Sequence, residues 1–94
     1  MEYDIKEDHG MDPGIARHVE ALRAAGVETF ESCQGGDGHA FPYPTVRFRG
    51  DRSEGLRALA LVLQQGFQVS SLNRVWPVID GEPTGPYWEL EFRP

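Results

Sequence analysis

The sequence predicts an α+β domain, a two-layer sandwich with two helices on one face of a mainly antiparallel four-stranded sheet. Three observations predict it. Two segments carry apolar residues at helical spacing and each is followed by a glycine. Two others, Thr45 to Arg49 and Tyr87 to Arg93, alternate apolar and polar residues strictly, which gives a sheet one core face and one wet face. The segments follow one another as helix, strand, strand, helix, strand, strand. A chain of 94 residues makes one domain, 1–94.

Residues 1–11 are polar and acidic, with Glu2, Asp4, Glu7 and Asp8, and are expected to form an arm. Asp12 and Pro13 start the first helix, the carboxylate accepting from free backbone N–H groups and proline occupying the first turn. Ile15, Val19 and Leu22 set its apolar stripe, His18 falls at its boundary, and the helix runs to about Ala25, before Gly26. Val27 to Ser32 reads as the first strand, although Val27 and Phe30 fall on opposite parity. In the second strand Val46 and Phe48 face one way and Thr45, Arg47 and Arg49 the other.

Asp51, with Glu54 three residues on, or Ser53 caps a second helix. Its buried stripe is expected at Leu56, Leu59, Ala60 and Leu63, widened by Leu61 and Val62, and Gly66 ends it. A third extended region opens at Phe67 and Val69 and recovers at Arg74 to Ile79 after the polar Ser70 and Ser71. Pro77 inside it removes a ladder donor and makes that strand an edge or a bulged one. Asp80 to Pro86 is a run of turn residues, and Trp88, Leu90 and Phe92 mark the inward side of the last strand. Trp76 and Trp88 read as core or sheet-face aromatics. Arg47 and Arg49 are expected to meet Glu89 and Glu91 across neighbouring strands as surface ion pairs.

The formal charge of −6 and a pI near 4.9 oppose the broad positive field of non-specific nucleic-acid or membrane binding. No apolar run approaches a membrane span and Met1 to Asp4 lack the positive region and apolar stretch of a signal peptide, so a cytoplasmic location is expected. The single cysteine fits a reducing compartment.

The chemistry concentrates between the first two strands, in Glu31 to Phe41. That stretch holds the only cysteine, three glycines and His39. The first helix rises for about 20 Å and the returning strand covers a similar length. Cys33 is therefore expected near the helix start, where His9, Asp12, Gln34, Asp37 and His39 share its surface. Three uses of the stretch arise. Cys33 is a packed thiol or a nucleophile with His39 as base. Cys33, Asp37, His39 and His9 could hold a metal, but no CxxC or HxxxH pair exists, and neither metal nor cofactor is assigned. Gly35, Gly36 and Gly38 permit close backbone approach to an anion, without matching a phosphate-loop pattern.

Three phrases carry a resemblance: Asp8 to Gly14, Glu31 to Gly36 with Gly38 to Phe41, and Gly81 to Pro83 with Gly85 to Leu90. Together they resemble a family of small bacterial and phage-borne proteins to which no activity is assigned. A shorter similarity, confined to Ser32, Cys33 and the turn after them, is to the tRNA wybutosine-synthesis methyltransferases, and no residue role is carried over from it.

The reading that follows is a binding or accessory domain. An unidentified small molecule or protein would meet His9, Asp12, Gln34, Gly35, Gly36, Asp37 and Gly38. The alternatives are a small enzyme acting on a nucleotide or RNA through Cys33 and His39, and a structural subunit, monomer or homodimer, that pairs through an exposed strand edge.

Overall fold

A computed structural model of the chain describes residues 13–94. The expected arm, and with it the Asp12 cap and His9, lies outside the described residues. The architecture is α+β, with α1 (Pro13–Ala24), β1 (Glu28–Cys33), β2 (Thr45–Arg49), α2 (Arg52–Gln64), β3 (Val69–Val75), β4 (Val78–Ile79), β5 (Glu82–Pro83) and β6 (Tyr87–Phe92). Four strands form a sheet in the order β1-β2-β6-β3, antiparallel at every step, and β4 with β5 makes a separate small ribbon.

Local chemistry explains the helix limits. The Asp51 carboxylate accepts from the N–H groups of Ser53 at 3.0 Å and Glu54 at 3.2 Å, which caps α2. Both helices end alike. Val27 and Phe67 donate to the carbonyls of Leu22 and Val62 at 3.0 Å, while Gly26 and Gly66 donate to Arg23 at 2.9 Å and Leu63 at 3.1 Å. These are the paired bonds of a Schellman ending, with the apolar residue after each glycine folded back on its helix.

The core lies between the helices and one sheet face: Ile15, Val19 and Leu22 from α1, Val46, Phe48, Trp88, Leu90 and Phe92 from the sheet, and Ala58 and Val62 from α2. The expected burial of α2 is corrected. Gly55, Ala58 and Val62 face inward, whereas Leu56 and Leu63 are 65% and 52% exposed and Ala60 is also exposed. The Trp88 indole is the cause. It lies directly beneath the helix, and a Cβ on Gly55 would stand 2.6 Å from its ring, so the helix turns its smallest residues to the sheet. The indole N–H donates to the Asp51 carbonyl at 2.9 Å and fixes the ring there.

Two strands also depart from expectation. β1 shifts by a residue to end at Cys33 and carries a bulge between Thr29 and Glu31. Phe30 is the extra residue, which resolves its parity conflict with Val27: the ring turns to the wet face and meets Tyr87 edge-on at 5.4 Å. β3 runs through Ser70 and Ser71, is an edge strand as expected, has its bulge between Val69 and Ser71, and stops before Trp76. Trp88 is buried as expected, but Trp76 is 57% exposed, because the chain leaves the sheet there for the β4–β5 ribbon and no helix lies over it.

Candidate functional site

The loop 34–44 between β1 and β2 closes on itself. Gly36 N–H donates to the carbonyls of Phe41 at 3.2 Å and Pro42 at 3.0 Å, and His39 N–H donates to the Gly36 carbonyl at 3.1 Å. Gly35 has φ +82°, and an added Cβ would fall on the backbone of Tyr43 and Pro44, so only glycine lets the two arms of the loop touch. Gly35 N–H donates to Cys33 Sγ at 3.4 Å. These backbone donors are turned inward and committed, which removes Gly35 and Gly36 from use as an anion cradle.

The loop lies against the start of the first helix, as chain reach predicts. Gln34 lies over the start of α1, where a Cβ on Gly14 would come within 2.7 Å of its Oε1, and its Nε2 lies 3.2 Å from His39 Nε2. Gln34, Gly35 and Gly36 line a cleft of about 290 Å³ with Gly14, Pro42, Pro44 and Pro94. Asp37 and Gly38 stand at the exposed loop tip, outside that lining. His9 and Asp12 lie outside the described residues.

Cys33 sits at this corner but is fully buried. Its register partner is Thr45, which puts it on the face opposite Val46, and Thr45 is only 2% exposed. The loop meets both at this end of the sheet: Gly35 N–H donates to Cys33 Sγ, and Thr45 Oγ1 donates to the Tyr43 carbonyl at 2.8 Å. Of the two sequence readings of Cys33, packed thiol and nucleophile, its burial in this conformation matches the packed thiol. Among the described residues no three His, Cys, Asp or Glu side chains gather into a metal-binding group.

A second cluster has Arg47 at its centre, with one of its partners, Glu89, expected from the sequence and Glu31, Phe41 and Tyr87 not. Arg47, on the wet face, donates from Nε to Glu89 at 3.0 Å, its expected cross-strand partner, and from Nη1 to Glu31 at 2.9 Å. The rings of Phe41, from the loop, and Tyr87, from β6, lie 4.8 and 5.0 Å from its guanidinium carbon. Burial alone would lower the Arg47 pKa; the hydrogen bonds to Glu31 and Glu89 outweigh it and raise it. Burial raises the Tyr87 pKa, with Arg47 opposing. Arg49 pairs with Glu28 at 3.5 Å rather than with Glu91, whose carboxylate accepts from Ser70 Oγ at 2.7 Å. The alternation of β2 and β6 signalled Arg47 with Glu89, but Glu31 joined them only through the β1 bulge.

His18 belongs to neither cluster. Its ring packs 4.6 Å from Phe67 and 4.4 Å from Phe92, a boundary position as expected, and burial, then the Arg17 charge, lowers its pKa. A groove of about 340 Å³ nearby is lined by Arg17, Glu20, Ala21, Gln65 and Phe67. It is larger than the loop cleft, but its polar groups sit on long flexible side chains. The loop cleft has rigid backbone walls, the better basis for a preorganised site.

No helix among the described residues is long and apolar enough to cross a membrane. Comparison with protein-family models, with curated proteins and with solved structures finds no match to this chain.

Proposed function

We propose that the chain is a small cytoplasmic binding or accessory domain whose ligand or partner engages the cleft between the loop 34–44 and the start of α1. The observation that carries this reading is the Gln34 side chain, set between Gly14 and His39 on the cleft wall. Its carboxamide, joined to His39 through Nε2, lies beside proline rings and backbone, the mixture of apolar wall and few polar groups that small-ligand sites use. A cleft of about 290 Å³ suits a small flat molecule or one inserted side chain from a partner.

The enzyme reading has less support. A thiolate must reach its electrophile, and Cys33 has no exposed surface. Labelling with a disulfide reagent separates the two: the binding reading expects Cys33 to react only as fast as the protein opens, with no change on His39→Ala. Rapid labelling of the folded protein that His39→Ala abolishes would reverse the preference. The binding reading itself is tested by amide NMR against a fragment set of planar heterocycles and carboxamides. Expected are shifts clustered at Gly14, Gln34, Gly35 and Gly36 that Gln34→Ala removes; ligand-induced shifts confined to other surfaces would reject the cleft.

A further inference from the structure

Beyond the loop cleft, and independent of it, the segment 74–80 carries apolar side chains that lie in solvent. The β4–β5 ribbon continues the β3–β6 ladder past a kink: Val75 faces Tyr87, and three residues later Val78 faces Pro83. The kink is braced by Thr84, whose N–H and Oγ1 both donate to the Pro77 carbonyl, at 2.7 and 2.9 Å. Pro77 thus turns its carbonyl inward. Backbone groups alternate in direction along an extended chain, so Trp76 and Val78 on either side of it direct theirs to the free edge.

The side chains on that edge are large, apolar and uncovered, with Trp76 57%, Val78 65% and Ile79 60% exposed. A cluster of this kind marks an interaction surface. The charges name the occupant. Arg74 and Asp80 stand at equal distances along the chain from Pro77; among the described residues neither makes a direct ion pair, and the Arg74 charge acts only from a distance on the Asp51 carboxylate. The Arg74 guanidinium lies 4.7 Å over Trp88 with its Nε buried and unbonded, and Asp80 is exposed on the ribbon turn.

We propose that two copies pair antiparallel along this edge, about a two-fold axis through Pro77. That register sets Trp76 against the partner's Val78, Val75 against the partner's Ile79, and Arg74 against the partner's Asp80, each twice. It places the proline at a position whose missing N–H costs no intermolecular bond, since that position faces its own sheet. An isologous contact needs a self-complementary surface, and this segment reads the same from either end: charge, apolar, proline, apolar, opposite charge. The bulge between Val69 and Ser71 twists the other half of the edge away and confines the pairing to this segment. One short strand per copy buries less than the roughly 800 Å² per partner of a standard interface, so the dimer is weak and reversible.

Sedimentation velocity over a concentration series tests the proposal. Wild type is expected to pass reversibly from monomer to dimer, and Val78→Asp to remain monomeric while keeping its fold by circular dichroism. Arg74→Glu and Asp80→Arg are each expected to be monomeric alone and to dimerise when mixed, because only the mixed pair opposes unlike charges at both ends. A wild type that stays monomeric at the highest soluble concentration would overturn the pairing, as would a dimer that survives Val78→Asp. Should Arg74→Glu lose its fold with the Trp88 contact, the Val78→Asp result decides alone, since that side chain is 65% exposed in the monomer.

Discussion

The two long strand connections of this molecule use their residues in opposite ways. The loop 34–44, in the stretch where glycine, cysteine and histidine concentrate, spends the backbone donors of Gly36 and His39 on itself and lays Phe41 against Arg47 on the wet face. The connection from β3 to β6, which reads as ordinary strand and turn, holds Trp76, Val78 and Ile79 out in solvent on a braced ribbon. Density of reactive residue types therefore does not by itself locate every surface open to partners. What distinguishes the two is where the backbone hydrogen bonds go, and that depends on folding back against neighbouring chain.

The comparison breaks most readily at Gly35. Alanine there meets the backbone of Tyr43 and Pro44 as well as an unfavourable φ, and backbone cannot swing aside as a side chain does. Gly35→Ala is expected to cost about 3 kcal/mol or more in chemical denaturation and to expose Cys33 to labelling. Gly38→Ala, with a similar φ but open space, is expected to cost only about 1 kcal/mol. Equal losses at the two positions would mean that the loop is not closed.

Much of this was readable beforehand, and the failures have a common cause. The helix endings at Gly26 and Gly66 and the Asp51 cap are local chemistry, complete within a few residues, and the sequence states them directly. Arg47 opposite Glu89 follows from two clean alternations. The buried side of α2 does not, because Gly55 and Ala58 face the sheet only once the Trp88 ring, more than thirty residues on, is in place. Phe30 needed a bulge, and Trp76 needed the knowledge that no helix would reach it. At the site, chain reach correctly carried Gln34 to the helix start. Whether Cys33 packs or is presented stayed open in the sequence, because strand parity puts it on the wet face and only the folded chain shows that end of the face buried.

A second strain on the comparison falls at Arg47, where loop and sheet meet. Arg47→Met keeps volume between Phe41 and Tyr87 but leaves Glu31 and Glu89 beside each other without their shared cation. The expected loss is about 1–3 kcal/mol, because partly buried carboxylates stripped of a charged donor cost more than an exposed ion pair contributes. Arg47→Lys should recover only part of it, since an ammonium cannot bridge both carboxylates in the same fixed plane while stacking between rings. Full recovery by lysine would reduce the cluster to charge alone.

The smallest effect is expected in the ribbon, and its smallness is the informative part. Trp76 is the larger of the two tryptophans by exposure, 57% against 8% for Trp88, so Trp76→Ser removes little that the monomer has buried. At dilute concentration its unfolding free energy is expected to stay within about 0.5 kcal/mol of wild type, as for other surface substitutions. Indole burial stabilises a fold in proportion to the apolar area withdrawn from water, and a ring that is still in water has contributed little. A loss of several kcal/mol in the dilute monomer would show that Trp76 packs within its own chain. The contrast between a loop closed on itself and a ribbon left open would then fail on the ribbon side.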